Sequence, residues 1–133
     1  MDRLGDDYPV LLAPGQPNLR VNSTPDEVIR YAPRRLDVID LVANEFRTLL
    51  VEEFLRECGE GMPLVQRLVS RVQDDMVRKP SPLDLDFREG RFAVTFEGLV
   101  TDTPFVRTVA TLLRALEERL GHPVDVEFAC DGE

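Results

Sequence analysis

The chain has 133 residues, which suits one domain, and its composition of 43% hydrophobic and 31% charged residues is typical of a globular protein. The formal net charge of −9 argues against partners such as nucleic acid or an anionic membrane, because their phosphates would be repelled. No apolar run approaches the roughly 20 residues of a membrane-spanning helix, and the start of the chain lacks signal-peptide features, so a cytoplasmic location is expected.

The first predicted helix begins after Thr24. This threonine is a helix-capping residue type, Pro25 suits the first helical position, and acidic residues follow in the first turn. The helix is expected to end before Pro33. Residues 36–57 are ambiguous, since their apolar residues fit a helical stripe but also fit two strands flanking a turn at 43–45, and the periodicity alone favours the helix.

A second amphipathic helix is predicted over residues 63–78, because apolar residues recur there every three or four positions until Pro80. Alternating residues 83–87 and 92–96, joined by a turn that contains Gly90, predict a hairpin.

A third amphipathic helix is predicted at residues 104–120, ending at Gly121. A closing strand is expected at 124–130. The elements together predict a single α+β domain over residues 1–133, in which an antiparallel sheet of hairpins and the closing strand packs on two amphipathic helices, 63–78 and 104–120.

The closing strand carries the candidate metal ligands. Asp125 and Glu127 share one face of the strand with Asp131, and two carboxylates at positions i and i+2 can converge on a magnesium ion. A polar strand face turned to water gives the same pattern. The opposite face, which includes Phe128, is expected to be core, so Phe128→Ala should cost about 3 to 5 kcal/mol.

The other candidates for chemistry are few. Arg34 and Arg35 could grip a phosphate or could form a solvated pair, and His122 fits a surface residue at the end of a helix. The two cysteines, Cys58 and Cys130, are predicted to be small core residues, and one histidine is too few for a closed zinc site. No residue is assigned a catalytic role, since no nucleophilic triad can be assembled.

Several stretches resemble a known family. The segment "TPFVRTVATLLRALEERLGHPVDVEFACDG" is similar to the end of the ATP-grasp-like nucleotide-binding domain of phosphoenolpyruvate synthases and pyruvate phosphate dikinases, in which a glycine-terminated helix leads into a strand of the form Pro-x-Asp-x-Glu-Phe/Trp-Ala-x-Asp-Gly. The stretches "DRLGDDYPVLLAPGQPNLRVN", "TPDEVIRYAP" and "LDVIDLVANEFRTLLVEEFL" also resemble parts of large bacterial proteins related to these synthases.

The resemblance implies an ATP-dependent phosphotransferase. It implies that Glu127 helps to hold magnesium and the ATP phosphates, that Asp125 belongs to the same motif, and that residues 38–50 form strand, turn and strand. The family continues into a strand of the form Leu-Gln-x-Arg-Pro, so the chain is expected to be one subdomain that works with the remaining segments of a larger enzyme or with another chain. The alternative hypothesis is a noncatalytic protein-interaction module, including a homo-oligomer formed through the edge of the closing strand.

Overall fold

A computed structural model describes residues 10–129, which form a mixed α+β architecture with antiparallel strand pairing throughout. The α-helices in chain order are α1 (Pro25–Tyr31), α2 (Val51–Cys58), α3 (Val65–Leu68), α4 (Glu97–Asp102) and α5 (Phe105–Leu120). The strands are β1 (Leu12–Ala13), β2 (Gln16–Arg20), β3 (Arg35–Asp40), β4 (Glu45–Leu50), β5 (Val69–Gln73), β6 (Met76–Arg78) and β7 (Arg91–Val94). The predicted α+β class is confirmed, whereas several elements differ from expectation.

The strands of residues 10–129 form three small sheets. β1 pairs with β2 and β3 pairs with β4, while β5 is the central strand of the order β6–β5–β7. Val69 and Ser70 of β5 are only 2% and 1% exposed, so the three-stranded sheet holds the most deeply buried part of the fold.

The predicted capping of α1 is confirmed. Thr24 Oγ1 accepts a hydrogen bond from the Glu27 backbone N–H at 3.3 Å, and the Glu27 carboxylate accepts one from the Thr24 N–H at 3.1 Å. This reciprocal pair of hydrogen bonds satisfies backbone N–H groups that have no acceptor within the helix. Pro25 lacks an N–H group, but at the first helical position that group would have no intrahelical acceptor, so no hydrogen bond is lost.

Residues 38–50 form the strand, turn and strand implied by the resemblance. The helix that periodicity favoured over residues 36–57 is therefore wrong up to residue 50, while residues 51–57 do lie in a helix, α2. At the tip of the β3–β4 hairpin, Asp40 Oδ1 accepts hydrogen bonds from the N–H groups of Val42 and Ala43, each at 3.0 Å. Asn44 closes the turn with a φ of 53°. The side chain of Asp40 thereby stabilises a turn that an apolar stripe does not reveal.

The helix predicted over residues 63–78 is also wrong. Only the single turn α3 is helical, and the chain then enters β5 and returns through β6. Asp74 and Asp75 both have positive φ, 50° and 59°, as a two-residue type I′ hairpin turn requires. Val69 and Val72 fit a helical stripe, but their branched side chains favour a buried strand.

The first strand of the hairpin predicted at residues 83–96 is not formed. Ser81 donates its hydroxyl and its backbone N–H to the Asp84 carboxylate at 2.9 and 3.3 Å, and Pro82–Asp84 forms a 3₁₀ turn. Strand β7 pairs with β5 instead of with residues 83–87. The capping residues therefore outweigh the alternating apolar pattern.

Within residues 10–129 the core consists of two clusters on the β6–β5–β7 sheet. The larger one joins α2 and α3 to β5 and contains Val51, Leu55, Val65, Val69 and Phe87. A Cβ atom added at Gly59 would lie 2.7 Å from the Phe87 ring, which is too close for two carbon atoms. The end of α2 can therefore approach this ring only because residue 59 is glycine. The smaller cluster contains Ala32, Val72 and Ala93, which places α1 beside the sheet.

Helix α5 forms as predicted, and Gly121 ends it with a φ of 76°. Its expected packing on the sheet is not observed. Val106 is the buried residue of α5, whereas Leu112 is 45% exposed and Leu120 is also exposed. The clusters on the sheet draw their helical residues from α1, α2 and α3 and contain no residue of α5.

Candidate functional site

The candidate site lies on the segment that follows α5. Residues 123–129 form no strand ladder within the described part of the chain, so the predicted closing strand is wrong over these residues, and Cys130 and Asp131 lie outside them. The ring centroids of Phe105 and Phe128 are 5.8 Å apart. Phe105 begins α5, which is about 24 Å long at 1.5 Å per residue, whereas Phe128 lies beyond its other end. To bring the two rings together, the chain after Gly121 must run back along the helix nearly fully extended, at about 3.3 Å per residue.

Asp125 and Glu127 are both exposed on this segment. Their spacing along an extended chain places both carboxylates on the same side. Neither of them forms a hydrogen bond or ion pair with the residues described. No group of three or more possible metal-ligating side chains occurs among residues 10–129. The two carboxylates are therefore available as a partial ligand set.

The apolar side of this segment is not core, which corrects the expectation for Phe128. Phe128 is 60% exposed and Val126 is also exposed, while Val124 is half-buried. Since this segment joins no sheet among the residues described, Phe128 lies beside Phe105 of α5 and at the edge of an apolar groove instead of within a core. The cost of Phe128→Ala should therefore fall below the 3 to 5 kcal/mol expected for a core phenylalanine.

The remaining sequence candidates are not brought together. Arg34 and Arg35 are exposed. His122 is exposed and its Nδ1 lies 2.9 Å from the backbone oxygen of Pro123. Cys58, predicted to be core, is instead an exposed free cysteine at the end of α2, because the buried face of this short helix is taken by other residues.

Several other carboxylates are engaged within the fold. The pKa of Asp102 is lowered by hydrogen bonds from Lys79, at 2.6 Å, and from Thr101. The pKa of Asp40 is lowered by the Ala43 N–H and by Arg47. Such contacts favour the charged form and hold the carboxylate in place, which distinguishes these groups from Asp125 and Glu127.

A polar pocket of about 410 Å³ was missed by the sequence analysis. Its lining residues come from the approach to α1, from β5 and β6, and from the start of α4: Asn22, Ser23, Pro25, Val28, Ser70, Val77, Arg78, Lys79, Thr95 and Glu97. Ser70 and Arg78 lay inside the segment interpreted as a helix. Recognition of a hairpin turn at Asp74 and Asp75 would have placed both on neighbouring strands.

An apolar groove of about 660 Å³ lies beside the C-terminal segment. Phe105 and Phe128 line it together with Leu64, Leu68 and Phe96. The groove therefore borders the segment that carries Asp125 and Glu127.

Comparison of the chain with known proteins identifies no family. No family model, curated protein or solved structure matches it. Among residues 10–129, no helix is both long and apolar enough to cross a lipid bilayer.

Proposed function

We propose that this chain is part of the nucleotide-binding domain of an ATP-dependent phosphotransferase resembling phosphoenolpyruvate synthases and pyruvate phosphate dikinases. In this proposal Glu127, with Asp125 beside it, contributes carboxylate oxygen to a magnesium-nucleotide site. The observation that carries the proposal is that both residues of the family-like motif are exposed and unengaged by the described residues, on an extended segment that follows α5.

The residues fit the metal that the resemblance implies. Magnesium prefers hard oxygen ligands and usually keeps several waters or substrate phosphates in its shell, so one or two protein carboxylates are sufficient. A bound magnesium ion would neutralise charge on the nucleotide phosphates. Asp125 and Glu127 would hold and orient that ion, whose remaining ligands would come from the nucleotide and from water.

The hairpin of residues 38–50 also supports the proposal. The apolar periodicity and the family resemblance made opposite predictions for this segment, and the chain adopts the arrangement that the resemblance implied. The agreement concerns local structure only. It adds weight to the resemblance at a position far along the chain from Glu127.

Calorimetric titration of magnesium-ATP into the full chain tests the proposal. We expect weak, saturable binding that is lost in Glu127→Gln, because the substitution removes the charge and keeps the size of the side chain. Glu118→Gln is the matched control, since Glu118 is an exposed glutamate on α5 with no assigned role. Absence of binding, or equal binding by Glu127→Gln and the unmodified chain, would contradict the proposal.

The alternative is a noncatalytic interaction module. Residues 123–129 have no ladder partner in the described part of the chain, and an extended segment of this kind can add to the edge of another sheet. The tip of the β3–β4 hairpin also presents apolar side chains to solvent, with Leu41 87% and Val42 99% exposed. Both features suit contact with a second copy or another protein.

Light scattering over a concentration series distinguishes this alternative. If the C-terminal segment pairs with another copy, a dimer should form and should be lost in Val126→Pro, because proline cannot donate a ladder hydrogen bond. Val126→Ala is the control and should keep the dimer. A monomer at every concentration would exclude self-association through this segment.

A further inference from the structure

Strand β4 has an edge that no other strand covers in the part of the chain that the structure describes. The strand pairs with β3 alone, and the sheet of these two strands has no third member among those residues. Every residue of β4 is exposed except Leu49, which is half-buried. A two-stranded sheet is marginally stable in water, and an open edge of this kind can accept another strand.

The hydrogen-bond pattern of the β3–β4 hairpin shows which backbone groups point to the open edge. The Val51 N–H donates to the Arg34 carbonyl at 2.9 Å, and in an antiparallel pair such hydrogen-bonded positions recur at every second residue. The backbone groups of Glu45 and Arg47 therefore face β3. Those of Phe46 lie between them in the alternation, so its N–H and C=O point away from β3 to the open edge.

The side chains along β4 are complementary to a second copy of the same strand. If two β4 strands pair antiparallel with the register centred on Phe46, the two Phe46 rings lie side by side, and each Glu45 lies opposite Arg47 of the other copy. A register centred on Arg47 would place two guanidinium groups opposite each other. A register centred on Thr48 would leave the charged residues without opposite charges across the edge. Charge therefore selects the register centred on Phe46.

The groups that this pairing uses are accessible. The side chains of Glu45 and Arg47 are 60% and 50% exposed, and Arg47 Nε lies 3.8 Å from Glu45 Oε1 of its own chain. Across the joined edge the four charges would alternate in sign. On the other face of the hairpin Phe46 is 69% exposed, and Ile39, which lies opposite it on β3, is 60% exposed. Two paired hairpins would therefore form one apolar stripe across four strands.

We propose that the chain forms a two-fold symmetric dimer in which the β4 strands pair antiparallel, so that the two hairpins become one four-stranded sheet. Symmetric pairing of one surface with itself is the commonest arrangement of a homodimer. The contact between two strand edges is small, so we expect a weak dimer with a dissociation constant in the micromolar range. This surface is separate from residues 123–129, and the proposal does not depend on the magnesium-nucleotide site at Glu127.

Sedimentation velocity of the full chain at concentrations up to about 1 mM tests the proposal with two charge reversals. Arg47→Glu and Glu45→Arg each place like charges opposite each other, so each variant alone should associate about tenfold more weakly or less. An equimolar mixture of the two variants restores opposite charges at each position and should form a dimer again. The substitutions change the net charge in opposite directions, so net charge alone would not explain a loss of the dimer in both.

Phe46→Ala should also weaken the dimer, and it decides the test if a charge variant fails to fold, because it changes an exposed side chain. Phe128→Ala is the matched control, since Phe128 is a phenylalanine that is 60% exposed outside the hairpin. Val126→Pro is the control for association through residues 123–129. Both control variants should form the dimer as the unmodified chain does.

Four results would overturn the proposal. The first is a chain that stays monomeric at about 1 mM. The second is a Phe46→Ala variant that associates as strongly as the unmodified chain. The third is a mixture of the two folded charge variants that does not associate. The fourth is loss of the dimer in Val126→Pro or in Phe128→Ala, which would place the contact on the C-terminal segment.

Discussion

Replacing a leucine by alanine should have very different effects in α2 and in α5. Leu55 of α2 is 4% exposed and packs in the larger core cluster, whereas Leu112 of α5 is 45% exposed. Leu→Ala removes three carbon groups worth about 0.8 kcal/mol each, or about 2.4 kcal/mol of transfer free energy, and a core site adds a cavity term. We expect Leu55→Ala to lower the free energy of unfolding by about 3 kcal/mol and Leu112→Ala to lower it by about 1 kcal/mol or less.

Urea unfolding followed by circular dichroism measures both effects. With a slope of about 1 to 3 kcal/mol per molar urea, Leu55→Ala should move the midpoint down by about 1 to 3 M. Leu112→Ala should move it by a third of that or less. Equal shifts in the two variants would refute the reasoning, because they would mean that α5 packs as closely against the body of the protein as α2 does.

Three further predictions concern local features. Gly121→Ala should lower the free energy of unfolding by about 1 kcal/mol in a thermal melt, because the φ of 76° strains a residue with a Cβ, and Gly121→Asn should cost less. Asp75→Gly should raise it by about 0.5 to 1 kcal/mol, since Asp-Gly is preferred in a type I′ turn; a loss would contradict the turn assignment. The pKa of Asp102 is lowered by Lys79 in the folded chain, so its contribution to stability should be present above the ordinary pKa of about 3.9 and be lost as the pH falls through the lower folded value. A plot of melting midpoint against pH should show this loss of stability at low pH, and the loss should be smaller in Lys79→Met. If the melting midpoint of the variant falls with pH as much as that of the unmodified chain, the pairing of Lys79 with Asp102 is contradicted.

The sequence predicted those elements whose ends carry specific capping residues. Thr24 with Pro25 marks the start of α1, and Gly121 marks the end of α5. These signals act through one or two local hydrogen bonds or a single backbone angle, so they can be interpreted without the rest of the fold.

The predictions that failed depended on apolar spacing alone. Val69 and Val72 fit a helical stripe as well as a strand, and only pairing with β6 and β7 decides between the two. Leu83 fits an alternating strand pattern, but the bonds between Ser81 and Asp84 take the chain into a turn. The spacing of apolar residues in a short segment contains no information on which strands pair or on which side chains bond to the backbone.

The exposure of Phe128 could not be predicted from the sequence. Its burial would require residues 123–129 to pair with another strand, and they form no such ladder among the residues described. Alternation correctly places Asp125 and Glu127 on one side of an extended segment, but it cannot specify a sheet for the other side. The polar pocket could not be predicted either, since Ser70 and Thr95 are 25 positions apart and meet only when β5 pairs with β7.

The central position of β5 also has a consequence for the order of folding events. Its pairing with β6 closes a two-residue turn, whereas its pairing with β7 closes a loop that contains residues 74–90. Shorter loops close at a lower entropic cost, so the β5–β6 hairpin should be present in the transition state before β7 docks. Asp75→Gly should then accelerate refolding, while truncation of the buried β7 side chain at Ala93 to glycine should mainly accelerate unfolding.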